Sequence, residues 1–144
     1  MRALLLLCVI GCSAGGTEAV FCAYGFDAAG MADAGSAARE WNERGGTDFS
    51  VTDHEIDGCV PLRFAGYRTS GMMGETEFPP LASPSIRVWA DPGEPTLLRR
   101  TVLHELGHYT SPGREHSEDP RDVMFSGGPT AEHLTASDVE WAHQ

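Results

Sequence analysis

The sequence predicts an α+β fold, and three observations carry that reading. Apolar residues alternate with polar ones, or run in short apolar stretches, in several segments up to residue 91, as strands require. One helical segment interrupts them early. An amphipathic helix and a capped terminal helix follow late, so strands and helices are largely segregated rather than regularly alternating. A chain of 144 residues supports one domain with one core.

The elements follow in order. "AVFCAYGF", 19–26, is apolar and partly aromatic and predicts a first strand. Residues 27–46 predict a helix with Ala32, Ala37, Ala38 and Trp41 on one face, stopped by Gly45-Gly46. "TDFSVTD", 47–53, alternates through Phe49 and Val51 and predicts a strand with one buried face. "CVPLRFAGY", 59–67, predicts another, where Pro61 implies an irregular start or an edge because proline has no N–H to donate. "SGMMGETEFPP", 70–80, fits an edge strand or a loop, and its Met72-Met73 pair is read as packing. "SIRVWAD", 85–91, predicts a strand ended by Asp91-Pro92-Gly93. "TLLRRTVLHELGHYT", 96–110, predicts a helix with Leu98, Val102, Leu103 and Leu106 at its apolar positions, ended by Pro112 and Gly113. In "HLTASDVEWAHQ", Thr135 is the cap, Asp138 lies three positions on, and Leu134 with Val139 forms a staple.

The N-terminus reads as an export signal: Arg2, then an apolar run from Ala3 to Ile10. That run falls short of the ~20 residues a spanning helix needs. Val9-Ile10-Gly11-Cys12 resembles a bacterial lipoprotein signal. The resemblance implies a signal over 1–11, a lipid anchor on Cys12, a tether over 12–18 and a domain over 19–144. Ser13 after the cysteine resembles the outer-membrane sorting pattern. The alternative is an ordinary secretory signal and a secreted protein. Cys8 leaves with the signal and Cys12 carries the anchor, so Cys22 and Cys59 remain as a pair, expected as a disulfide in an oxidising compartment. Cys22 as a thiolate on a metal is the other reading.

The charge is strongly acidic, with 10 Arg, no Lys and 21 Asp plus Glu. This argues against nucleic acid as a partner, since phosphate binding needs a basic face. It also argues against electrostatic adhesion to anionic lipid, leaving the N-terminal anchor as the expected membrane contact.

The chemistry concentrates in "HELGHYTSPGREH", 104–116. His104 and His108, four apart on a helix, project from one face, with Glu105 beside the first. Gly107 leaves space for another segment to approach closely. H-E-x-x-H places two zinc ligands and a general base on one rigid element. In the longer version, H-E-x-x-H-x-x-G-x-x-H, the third His position here is Arg114, but Gly113-x-x-His116 restores the pattern two residues later.

The continuation, Ser117-Glu118-Asp119-Pro120-Arg121-Asp122-Val123-Met124-Phe125, resembles the matrix metalloproteinases and the bacterial matrixin-like metzincins. "AAREWNERGG" and "LTASDVEWA" are similar to that family's first and last helices. The resemblance implies a small twisted mixed sheet with an active-site helix and a C-terminal helix. It implies Zn²⁺ on His104, His108 and His116, Met124 as the Met-turn beneath the metal, and Glu105 as the base. It implies Met73, Gly74, Glu75 and Thr76 as the edge strand along which a peptide or protein substrate lies. The function implied is a zinc-dependent endopeptidase acting through a Glu-activated, zinc-bound water. The extra two residues are taken up either by a helix running half a turn further or by a bulge at Ser111-Pro112.

Two alternatives stand beside it. One is a catalytically inert zinc-binding envelope lipoprotein; the other is a protease whose third ligand is Glu115 or a later acid. His54, His133 and His143 are read as surface residues, and Asp91, Asp119 and Asp122 as turn residues and caps. Residues Phe125 to Thr130 are expected to shape the substrate pocket.

Overall fold

The computed structural model describes residues 16–128 and 130–144. Cys12, with its expected lipid, and the signal lie outside the described residues. The elements are β1 (Glu18–Tyr24), α1 (Ala28–Gly45), β2 (Asp48–Thr52), β3 (Val60–Tyr67), β4 (Gly74–Glu77), β5 (Ser85–Ala90), α2 (Leu97–Thr110) and α3 (Ala136–His143). The five strands form one mixed sheet in the order β2-β1-β3-β5-β4. The first four in that order run parallel, and β4 pairs antiparallel with β5 at the edge. The α+β class and mixed sheet are as the sequence implies.

Of the two readings of Pro61, the edge fails and the strand start holds: Pro61 is the second residue of β3, which is interior. It is tolerated because β5 pairs with β3 only from Leu62 onward, so proline sits where the ladder is still one-sided. On α1, Ala32 is exposed, and the buried face is Gly30, Ala34, Ala37, Ala38 and Trp41. The Asp27 carboxylate caps α1 through Gly30 N–H at 2.8 Å, and Gly46, at φ 67°, ends it in the left-handed region. The first strand stops at Tyr24, two residues early, because Gly25 turns the chain at φ 82°.

The small residues of α1 let it pack closely against α2, and Trp41 spans the join by donating Nε1–H to Leu103 O at 2.8 Å. Beneath the helices, Phe21, Phe49 and Tyr109 meet edge to face, with centroids 5.2–5.9 Å apart. Successive strand residues face opposite ways, so Cys22 points away from Phe21. It forms a disulfide with Cys59. That bond, across 37 residues of chain, stabilises the domain by about 4 kcal/mol through lost unfolded-state entropy. The thiolate alternative for Cys22 is thereby removed.

The outcome for the metal helix is specific. Leu98, Val102, Leu103 and Leu106 are all buried, and the helix ends at Thr110 as read. The capping box on α3 also forms, Thr135 accepting from Asp138 N–H while Asp138 accepts from Thr135 N–H.

Candidate metal centre

α2 presents His104 and His108 one helical turn apart, and the chain returns after the turn at Ser111–Arg114 to bring His116 onto the same point. The three Nε2 atoms form a triangle with edges of 3.2 Å (His104–His116), 3.1 Å (His104–His108) and 3.0 Å (His108–His116). Three imidazoles cannot satisfy one another with hydrogen bonds on all three edges, since each neutral ring carries one proton. The His104 Nδ1–H donates to Val123 O at 2.6 Å, which leaves its Nε2 lone pair aimed into the triangle. Tetrahedral zinc at 2.0–2.1 Å from each nitrogen needs edges of about 3.3 Å, close to those found. The donor set fits such an ion, and these three residues could hold a metal. Among the described residues, no carboxylate joins the group, so Glu115 does not take the third position.

Burial pushes His104 down to about 4, with the nearby His116 adding to the effect against the Val123 hydrogen bond. Burial, then His104 and His116, push His108 down to about 3. Both rings are therefore neutral at pH 7 and free to donate lone pairs. Burial pushes Glu105 up to about 7, with Glu75 adding and the Thr76 hydrogen bond opposing. The Thr76 hydroxyl donates to Glu105 Oε2 at 2.6 Å, so β4 and the carboxylate are directly joined. Gly74 completes the seat: a Cβ there would overlap Glu105 Oε1 and lie 2.8 Å from its carboxyl carbon.

Met124 is fully buried and its side chain lies against Gly107, the residue before His108. Gly107 makes room for it, as the sequence anticipates, since a Cβ at 107 would overlap the Met124 Sδ and come within 3.1 Å of the Trp41 ring. Gly107→Ala is expected to destabilise the domain by about 1–3 kcal/mol through this overlap. Urea unfolding checks it, and the cost of Gly107→Ala should be smaller when measured in a Met124→Ala background.

An open cleft of about 880 Å³ runs past the triad, bounded by Met72–Thr76 on one side and by Phe125–Gly128 and Thr130 on the other. β4 is an edge strand of the sheet and Gly74, Glu75 and Thr76 line this cleft, while Met73 precedes β4 rather than belonging to it. Met72 does not pack as read; it is 58% exposed and lines the cleft. His54, His133 and His143 are exposed, away from the triad. Asp91 and Asp119 accept from Gly93 N–H and Arg121 N–H as turn residues do. Asp122 departs from that reading: it is buried and takes hydroxyl hydrogen bonds from Ser117, Thr135 and Ser137.

One contributor was missed. Asp138 accepts from Val123 N–H and Met124 N–H, both at 3.0 Å, and so fixes the backbone that orients His104. A capping acid three residues after a Thr was visible; its second duty was not.

The three-His group could hold a metal ion, and the mixed sheet with its helices is a fold found among solved structures. No family model matches the sequence, and no curated protein matches it. Among solved structures the chain is similar to myroilysin. One myroilysin structure superposes with a TM-score of 0.56 at 15% identity, over 89% of this chain and 91% of the other. A second gives 0.57 at 14% identity, over 90% and 84%. At such identity the likeness is one of fold.

Proposed function

We propose that the protein is a zinc-dependent endopeptidase of matrixin-like type. The observation that carries this is the buried Glu105 carboxylate, seated between an edge strand and a convergent three-nitrogen site in an open cleft. A purely structural metal site is closed and has no use for an adjacent base. That contrast weighs against the inert-lipoprotein reading.

His104, His108 and His116 would hold the zinc through their Nε2 atoms. Bound there, zinc polarises the scissile carbonyl and lowers the pKa of water toward ~7. Glu105 accepts the proton of the attacking water at its carboxylate and returns it to the leaving amine nitrogen. Its buried seat against Thr76 places it to hold that proton between the two transfers. Thr76 holds one oxygen of that carboxylate and leaves the other for the proton. The substrate backbone extends β4 by pairing along its outer edge. Met124 supports the ligands from below without touching substrate.

The test is a mixed peptide library incubated with the oxidised, zinc-loaded domain and read by mass spectrometry. Cleavage abolished by a chelator and restored by zinc is expected. A zinc-loaded protein that cuts nothing in a broad library would move the assignment to the binding-module reading.

A further inference from the structure

The segment from His108 to His116 is two residues longer than the metzincin spacing, and the surplus is built into a specific contact. After α2 ends, Arg114 N–H donates to Ser111 O at 3.3 Å, and Gly113 adopts φ 73°, closing a tight turn. The turn is fastened to the last turn of α3 at several points. Ser111 Oγ donates to Ala142 O at 2.8 Å. Arg114 donates through Nη1 to Trp141 O and through Nη2 to Gln144 Oε1, the latter at 2.8 Å. The Arg114 guanidinium also lies 5.2 Å from the Trp141 ring centroid. In return, Trp141 Nε1–H donates to Glu115 O at 2.8 Å, one residue before His116. The same indole meets the His108 ring edge-on, with centroids 6.2 Å apart.

The chemistry of each contact is favourable. The last carbonyls of a helix have no intrahelical donor, and Ser111 and Arg114 supply donors to two of them. A cation at that end also complements the helix dipole. Arg114, which stands where the shorter spacing has a histidine, has thus been turned to holding the loop.

We propose that Trp141 and Arg114 are positioning residues for the third metal ligand. They fix the lengthened loop at Glu115, so that His116 reaches the triangle at little ordering cost when the ion binds. The proposal rests on the reading of His116 as a zinc ligand.

The test uses the full-length, oxidised chain, with zinc affinity from chelator competition and ligand-field absorption of the Co²⁺-loaded protein. Trp141→Phe keeps a ring but removes the N–H, and Arg114→Ala removes the cation on the outside of the turn. Each is expected to weaken zinc binding by roughly 10–100-fold, in the range found when groups orienting metal ligands are removed. The Co²⁺ spectrum should shift toward that of His116→Ala. In the His116→Ala background, Trp141→Phe should cost nothing more. Wild-type affinity in both single variants, or an equal loss from Trp141→Phe with and without His116, overturns the clamp. Should Trp141→Phe fail to fold, Arg114→Ala decides alone. If His116→Ala binds zinc as the wild type does, the ligand assignment itself is wrong and the proposal goes with it, a result distinct from failure of the clamp.

Discussion

Glu105→Gln is expected to lower kcat/KM for peptide cleavage by roughly 10²–10⁴-fold, while zinc affinity stays at the wild-type level. In free energy this is a loss of about 3–5 kcal/mol of transition-state stabilisation. Glutamine has nearly the same shape, and its amide oxygen can still accept from Thr76, so the seat between β4 and α2 survives. What disappears is a group that can take up a proton. The variant therefore isolates the proton transfer from the packing. Cleavage at a wild-type rate would remove Glu105 from the chemistry. A parallel fall in zinc affinity would mean that it acts through the ligands instead.

Asp138→Ala is expected to destabilise the domain by about 3–7 kcal/mol. The carboxylate is 1% exposed and accepts from Val123 N–H, Met124 N–H and Thr135 N–H. Losing the capping interaction costs about 1 kcal/mol. Two buried N–H groups left without acceptors add about 1–3 kcal/mol each. The melting temperature should fall by on the order of 10 °C. Asp138→Asn, which retains one acceptor oxygen, should lose less. Zinc affinity should weaken as well, because Val123 O is the partner of His104 Nδ1. A stability change within ~1 kcal/mol would show that the Met-turn backbone has other acceptors within reach.

The parts of this molecule readable in its sequence are those set by local pattern. Phe49 and Val51 announced β2, Ser85–Ala90 announced β5, and Thr135 with Asp138 announced the start of α3. His104, Glu105 and His108 were legible because a helix alone fixes their relation. His116 was legible by register with Gly113 and Met124, although only the fold shows how the longer loop returns it. At Pro61 an irregular start and an edge both stayed open because strand order is a long-range property: nothing near it says that β3 is interior or that β5 begins to pair one residue later. Ala32 misled because several alanines on one helix offer competing faces, and Trp41 together with α2 chooses among them. The Thr76–Glu105 contact, the Asp138 contacts to the Met-turn and the Arg114–Trp141 contact join residues at least 14 positions apart. Threonine in an edge strand or tryptophan in a terminal helix carries no mark of such a partner.

The link from Asp138 through the Val123–Met124 backbone to His104 ties the metal site to the end of the chain. A segment reaching only residue 134 already carries all three histidines, Glu105 and Met124. It has no carboxylate to hold Val123 and Met124, so nothing yet selects the proton position on His104. Without that backbone partner the ring can carry its proton on either nitrogen, and one of those states closes the lone pair to an ion. The proton position on His104 is thus selected by the last helix of the chain, through Asp138 and the Val123 carbonyl.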